Sequence, residues 1–188
     1  LGNEIGSAEF MNGELDKAHC TSFQFSKSET EVTGEEDEAQ TITTGYEKEI
    51  NPSSYTEEVD PANFYDQFND SVLSETITKT VTDAEGNNLS QTTSYLRGKN
   101  KTETVTTYEN DDFGRTVKEN TIQKKYQDGR WLPSYETEVS YTYDENGNVT
   151  ETETKSRKEG ETDWQTQKTK AVYDSKGQVT KEYSPRGV

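Results

Sequence analysis

The stretch YTYDENGNVTETE (141–153) carries the residue types of a cation site. Asp144, Asn146 and Asn148 stand at alternate positions, as in the D-x-N-x-N start of an EF-hand loop, whose oxygens ligate calcium. Such a loop then needs Gly at its sixth position and Glu at its twelfth, where this chain has Val149 and Lys155. The glycine comes two places early, and Asn146-Gly147 is a preferred hairpin dipeptide. The pattern reads as a turn, and neither a metal nor any other cofactor is expected.

Other candidate chemistry is thinner. With 37 Asp and Glu residues, carboxylate pairs at glycosidase spacing arise in any fold, so they single out no catalytic pair. His19 is the only histidine and Cys20 the only cysteine, too little for a Cys/His nucleophile system or for a disulfide within the chain. No phosphate-cradling Gly-rich loop, G-x-S-x-G or C-x-x-C occurs. An enzyme is not expected. Trp131 and Trp164 each follow a turn, in DGRW and ETDW. With Tyr126 and Tyr135 nearby they are the candidate residues for stacking on sugar rings. Structural packing is the commoner fate of such residues. Thr-x-Thr arrays (76–82, 102–106, 150–154) resemble ice-binding faces, but their Glu and Lys neighbours make cross-strand Thr pairing the simpler account.

Composition bounds the partners. The 188 residues carry a net charge of −17, with 30% charged and only 26% hydrophobic residues. Mean hydropathy is −1.19. Such values are typical of disorder, yet eleven tyrosines and abundant Thr are strand formers. A folded, β-rich chain with a Tyr/Val/Ile core is the expectation. The charge repels nucleic acid and anionic membrane surfaces. No apolar run approaches the length of a membrane-spanning helix, so no membrane insertion is expected.

The elements that would position these residues are marked by glycines. Gly86, Gly114, Gly147 and Gly177 are 28, 33 and 30 residues apart, and Gly98, Gly129 and Gly160 fall between them at intervals of 31 and 31. Turns so spaced join strands of about six to ten residues in hairpins. A period near 30 residues is a repeat of two strands and two turns. Tyr135, Thr137, Val139, Tyr141 and Tyr143 alternate with Glu136, Glu138, Ser140 and Thr142. Residues 150–155, TETETK, have no apolar side at all, so their strand must be wet on both faces or covered by long side chains. The expected fold is all-β: an elongated antiparallel β-meander of hairpin repeats, partly a single-layer sheet. Residues 1–10, ahead of Met11, read as vector-derived. Residues 11–70 form an N-terminal β/irregular segment with a short helix near 61–68, capped by Asp60 with Pro61 first. Residues 71–188 form the hairpin-repeat region, continuous with 11–70 as one domain.

At the turns the sequence resembles the YD-repeat pattern of bacterial rearrangement-hotspot and wall-associated proteins: Tyr-Asp, two free residues, Gly, Asn or Arg, then an apolar residue. Tyr143-Asp144-Glu145-Asn146-Gly147-Asn148-Val149 matches throughout, and residues 173–179 match except for Gln178. The two earlier copies have Thr82 and Asn110 in place of Tyr, with the apolar residues Leu89 and Val117 one place late. The likeness covers residues 70–183. Similar hairpin series occur in small secreted or surface proteins of gut Bacteroidetes. The Thr/Lys/Glu-rich hairpins also resemble those of a spirochaete outer-surface protein with a free-standing single-layer sheet. The resemblance implies a bacterial extracellular array without catalysis. The expected function is a secreted or cell-surface interaction or adhesion module working through a broad acidic face on a protein or glycan ligand. A carbohydrate-binding module is the alternative, and a glycoside-active enzyme a distant third. Free sheet edges leave a monomer or an edge-paired dimer open.

Overall fold

The computed structural model describes residues 10–11, 14–15, 23–35, 38–51 and 72–184. Among them there is no α-helix; the helix expected near 61–68 lies outside the described residues. Two short strands, β1 (Phe10–Met11) and β2 (Glu14–Leu15), pair with each other. Everything else builds one sheet: β3 (Phe23–Thr33), β4 (Gln40–Ile50), β5 (Val72–Thr82), β6 (Asn88–Arg97), β7 (Asn100–Asn110), β8 (Thr116–Gln127), β9 (Arg130–Tyr143), β10 (Val149–Lys158), β11 (Gln165–Tyr173) and β12 (Val179–Tyr183). The ten strands lie in chain order, each antiparallel to the one before, with β3 and β12 at the edges. The expected meander is therefore present, as one open sheet.

Its strands are wet on both sides. Of the described side chains only Ile50 and Lys48 are buried, at the end of β4. Along β10 every residue from Val149 to Arg157 is half-buried with no inside and outside, which is what a TETETK strand requires. β10 nevertheless sits within the sheet, between β9 and β11. No described element packs over it, and its neighbours' long side chains cover it instead.

Register sorts the side chains into two unlike faces. One line of directly opposed residues runs Thr30, Thr43, Thr80, Gln91, Thr106, Thr121, Thr137, Ser156, Gln165 without a charge. Hydroxyl pairs close across it and the line beside it: Thr30 with Thr43 at 3.4 Å, Thr106 with Thr121 at 2.9 Å, and Thr78 with Thr93 at 3.5 Å. On the other face Lys and Glu alternate from strand to strand. Lys118 pairs with Glu138 at 2.9 Å, Glu138 with Lys155 at 3.3 Å and Lys170 with Glu151 at 2.7 Å, Lys168 bridges Glu153, and within β10 Lys155 pairs with Glu153 at 3.0 Å. Cross-strand pairs of this kind are stabilising units of a sheet, and among the described residues no second layer covers this one.

Candidate functional site

Two places gather the residues singled out in the sequence: the row of Asp-x-x-Gly turns at one end of the sheet, and an aromatic cluster near the other.

In a meander alternate connections fall at the same end. The turns starting at Asp83, Asp111, Asp144 and Asp174 therefore form a row. All four are built alike. The N–H of each Asp donates to the carbonyl four residues on (2.9–3.0 Å), and the Gly N–H donates back to the Asp carbonyl (2.9–3.1 Å). The glycines have φ of +89°, +75°, +84° and +76°. This is a type I turn closed by a left-handed glycine, the bulged hairpin loop, with Asp at its first position. Asn146-Gly147 is thus not the two-residue hairpin loop that the dipeptide favours. The only described non-glycine residue at positive φ is Asp128, which with Gly129 does make such a loop at the opposite end.

The Asp side chain holds its own loop. Oδ1 of Asp144 accepts from the N–H groups of Asn146 and Asn148, both at 2.9 Å, and Oδ2 accepts from Asn148 Nδ2 at 2.9 Å. Asp111 does the same with Phe113 and Arg115 N–H (3.0 Å each) and with Arg115 Nε (2.8 Å), whose guanidinium also pairs with it at 2.6 Å. These donors hold the carboxyls of Asp83, Asp111 and Asp144 below the usual value of 3.8, chiefly through the side chains of Asn87, Arg115 and Asn148. The arrangement opposes a cation. Oxygens that calcium would need already accept N–H groups, and in one turn a guanidinium occupies the place. Among the described residues no group of His, Cys, Asp or Glu is disposed to hold a metal.

Each turn also laps onto the next. The side chain four residues after the Asp lies over the following turn's glycine: Asn87 over Gly114, Arg115 toward Gly147, Asn148 toward Gly177. The residue just before the Asp reaches back to the previous turn. Tyr143 Oη donates to the Thr116 carbonyl (2.7 Å), Tyr173 Oη to that of Val149 (2.9 Å), and Asn110 Nδ2 to that of Asn88 (2.8 Å). These three carbonyls sit at the same place in their turns. Asn110, a departure from the Tyr pattern, therefore does the tyrosine's work with an amide. The Arg115 guanidinium further stacks on the Tyr143 ring at 4.6 Å. Deeper on this face Tyr141 donates to Glu119 at 3.1 Å, and burial together with that carboxylate pushes its phenol up to about 12.

At the aromatic end Tyr126 and Trp131 are directly opposed across β8 and β9, their rings edge to face at 5.3 Å. Lys101 Nζ stands over both, 5.6 Å and 5.4 Å from the centroids. Arg157 lies 4.6 Å over Trp164. Of the four candidate sugar-stacking residues the fold thus brings Tyr126 and Trp131 together. Trp164 stands beyond β10, and Tyr135 is on the hydroxyl face, because a register irregularity beside it turns the following pairs over. A shallow groove next to Trp131 is lined by Glu75, Ile77, Ser94, Leu96, Lys101 and Glu103. The cations over the rings were missed in the sequence, since nothing there aligns Lys101 with residues 25 and 30 places away. His19 and Cys20 lie outside the described residues.

The acids expected on one broad face are divided. On the charged face they interleave with lysines, while Glu35, Glu38, Glu85, Asp112 and Glu145 join the four turn aspartates along one end of the sheet. No family model matches the chain, and no curated protein sequence matches it.

Proposed function

We propose that the protein is a non-enzymatic interaction or adhesion module of bacterial secreted or cell-surface type, built from YD-type hairpin repeats. The observation that carries this reading is the open sheet itself. Among the described residues its two chemically different faces are exposed or half-exposed, and burial is confined to Lys48 and Ile50. Catalysis relies on preorganised groups in a site that excludes water; a surface spread this way favours contact with a large partner instead. The YD reading is supported by the work of its residues: Asp closes the turn, Tyr or Asn ties it to the turn before, and Asn or Arg shields the glycine after. The test is retention of labelled protein on surfaces coated with mucin, fibronectin or laminin, at physiological salt. Binding to at least one coat, lost when Glu85, Asp112 and Glu145 become Gln together, is expected; no retention on any of them would sink the reading.

Carbohydrate binding is the second reading, favoured by the groove beside Trp131 and its paired Tyr126. Lys101 over those rings competes with a sugar for the same π-face, so neutral glycans are weaker candidates than acidic ones. On a glycan array, binding by the parent that is lost in Trp131→Ala supports it. Equal binding by the parent and by both Trp131→Ala and Trp164→Ala would end it.

A further inference from the structure

We propose that the hydroxyl face, at the end of the sheet opposite the Asp turns and from β6 to β10, binds a sulfated polysaccharide. This rests on the reading of the protein as an interaction module and goes beyond it by naming the partner. The surface is distinct from the Asp-turn row and from the Trp131 groove on the opposite face.

Register gathers four cations that lie far apart in the chain. Tyr95, Thr102, Lys125 and Leu132 oppose one another in a row across β6 to β9. The row beside it runs Thr93, Thr104, Gln123, Tyr135, Lys158 into β10. Two residues further toward the loops, Arg97 and Arg130 stand on the same face, opposite Asn100 and Gln127. Arg97, Lys125, Arg130 and Lys158 are all exposed. Among the described residues none of the four forms an ion pair with a carboxylate. On the other face, by contrast, Lys118, Lys155, Lys168 and Lys170 each hold a glutamate. No Asp or Glu stands in the rows just named; acids enter in the loops beyond them, as Asp128, Glu159 and Glu161. On a chain of net charge −17, four unpaired cations on an otherwise uncharged polar field mark a place for an anion.

Their spread selects the partner. From β6 to β10 is four strand spacings, about 19 Å, too far for one small anion and suited to a chain that carries several. The cations are staggered over three rows, which fits sulfates hanging from both edges of a sugar chain. Each can form a charge-assisted hydrogen bond to sulfate oxygens. Thr102, Thr104 and Gln123 between them offer hydroxyls and an amide to the sugar's own hydroxyls. A single-stranded nucleic acid would need neighbouring rings for successive bases, whereas Tyr95 and Tyr135 stand three strands apart.

The test measures binding of the full chain to immobilised dextran sulfate at low salt, beside unsulfated dextran, alginate and oligothymidine. One variant combines Arg97→Gln, Lys125→Gln and Arg130→Gln. A control combines Lys79→Gln, Lys176→Gln and Lys181→Gln, the same change in net charge placed elsewhere, and circular dichroism checks that both keep the sheet. The parent is expected to prefer dextran sulfate to the other three polymers. The first variant should bind it about tenfold more weakly, from the loss of three exposed ion pairs, and the control as tightly as the parent. Lys125→Gln alone should weaken binding in the same direction. Equal binding to dextran, alginate or oligothymidine, an equal loss in the control, or no loss in the first variant would overturn the proposal. So would a parent that does not bind dextran sulfate; its retention on a mucin, fibronectin or laminin coat would then leave the interaction reading standing while this one fell.

Discussion

Both ends of the sheet are closed by glycine-containing hairpins, yet only one end is a structure in its own right. At the Asp-turn end each loop is fastened to its neighbours, and a Cβ on Gly114 would run into Asn87 of the preceding turn. At the other end a Cβ on Gly98, Gly129 or Gly160 would meet nothing within 4 Å. The glycines look alike in the sequence and share positive φ, +57° to +81° at the open end. At the open end the glycine answers only to its own backbone. In the Asp-turn row Gly114 also makes room for the turn before. Burial among the described residues is confined to Lys48 and Ile50, so this row, with the side-chain ladders on the faces, holds the strands in order.

The sharpest way to break the comparison is one substitution at each end. Gly98→Ala should cost about 1 kcal/mol, for the left-handed conformation alone. Gly114→Ala should cost about 3 kcal/mol, because that strain is joined by displacement of Asn87 from its own Asp83. Chemical denaturation measures both; equal losses would mean that the lapping contributes nothing.

Acid should undo the Asp-turn end first. Asp83, Asp111 and Asp144 have folded values below 3.8. Their contribution is complete above that value and is lost as pH falls through the lower folded ones. The melting temperature should decline between about pH 5 and about pH 2, and the decline should flatten when all three are changed to Asn. An unchanged slope in the triple variant would remove these carboxylates from the account.

Tyr143→Phe deletes one half-buried hydrogen bond between turns and should cost about 1 kcal/mol. Tyr126→Phe, at the aromatic end, keeps its ring contacts and should leave the denaturation midpoint where it is. The smallest expected effect is none: millimolar calcium should not raise the melting temperature, since the Asp144 oxygens already accept N–H groups. A rise of several degrees that disappears in Asp144→Asn would reverse the reading of the turn.

Much of this was legible in the chain. The glycine spacing placed the hairpins, the alternation in β9 set its faces, and TETETK required a strand without an inside. The turn chemistry was readable only in part. The Asp-Asn-Gly cluster read correctly as a bend, but its dipeptide pointed to the wrong loop, because Asp at the first position and Gly at the fourth override Asn-Gly when the side chain caps its own backbone. Asn110 looked like a broken copy because a pattern of residue types does not reveal that an amide and a phenol can donate to the same carbonyl.

What the sequence by itself determined is local: where strands begin and end and which residues alternate. Those follow from backbone preferences and side-chain chemistry within a few neighbouring positions. The Tyr/Val/Ile core it suggested is not found among the described residues, where only Ile50 and Lys48 are buried. What only the tertiary structure decided is adjacency between strands. It collected the Lys–Glu ladder of β8–β11 on one face and the uncharged Thr line on the other, placed Lys101 over Tyr126 and Trp131, moved Tyr135 to the opposite side, and set the side chain of one turn over the next turn's glycine. The physical reason is that cross-strand register is fixed by loop geometry and by single-residue bulges. One residue of slip exchanges the two faces, and no local pattern records that choice.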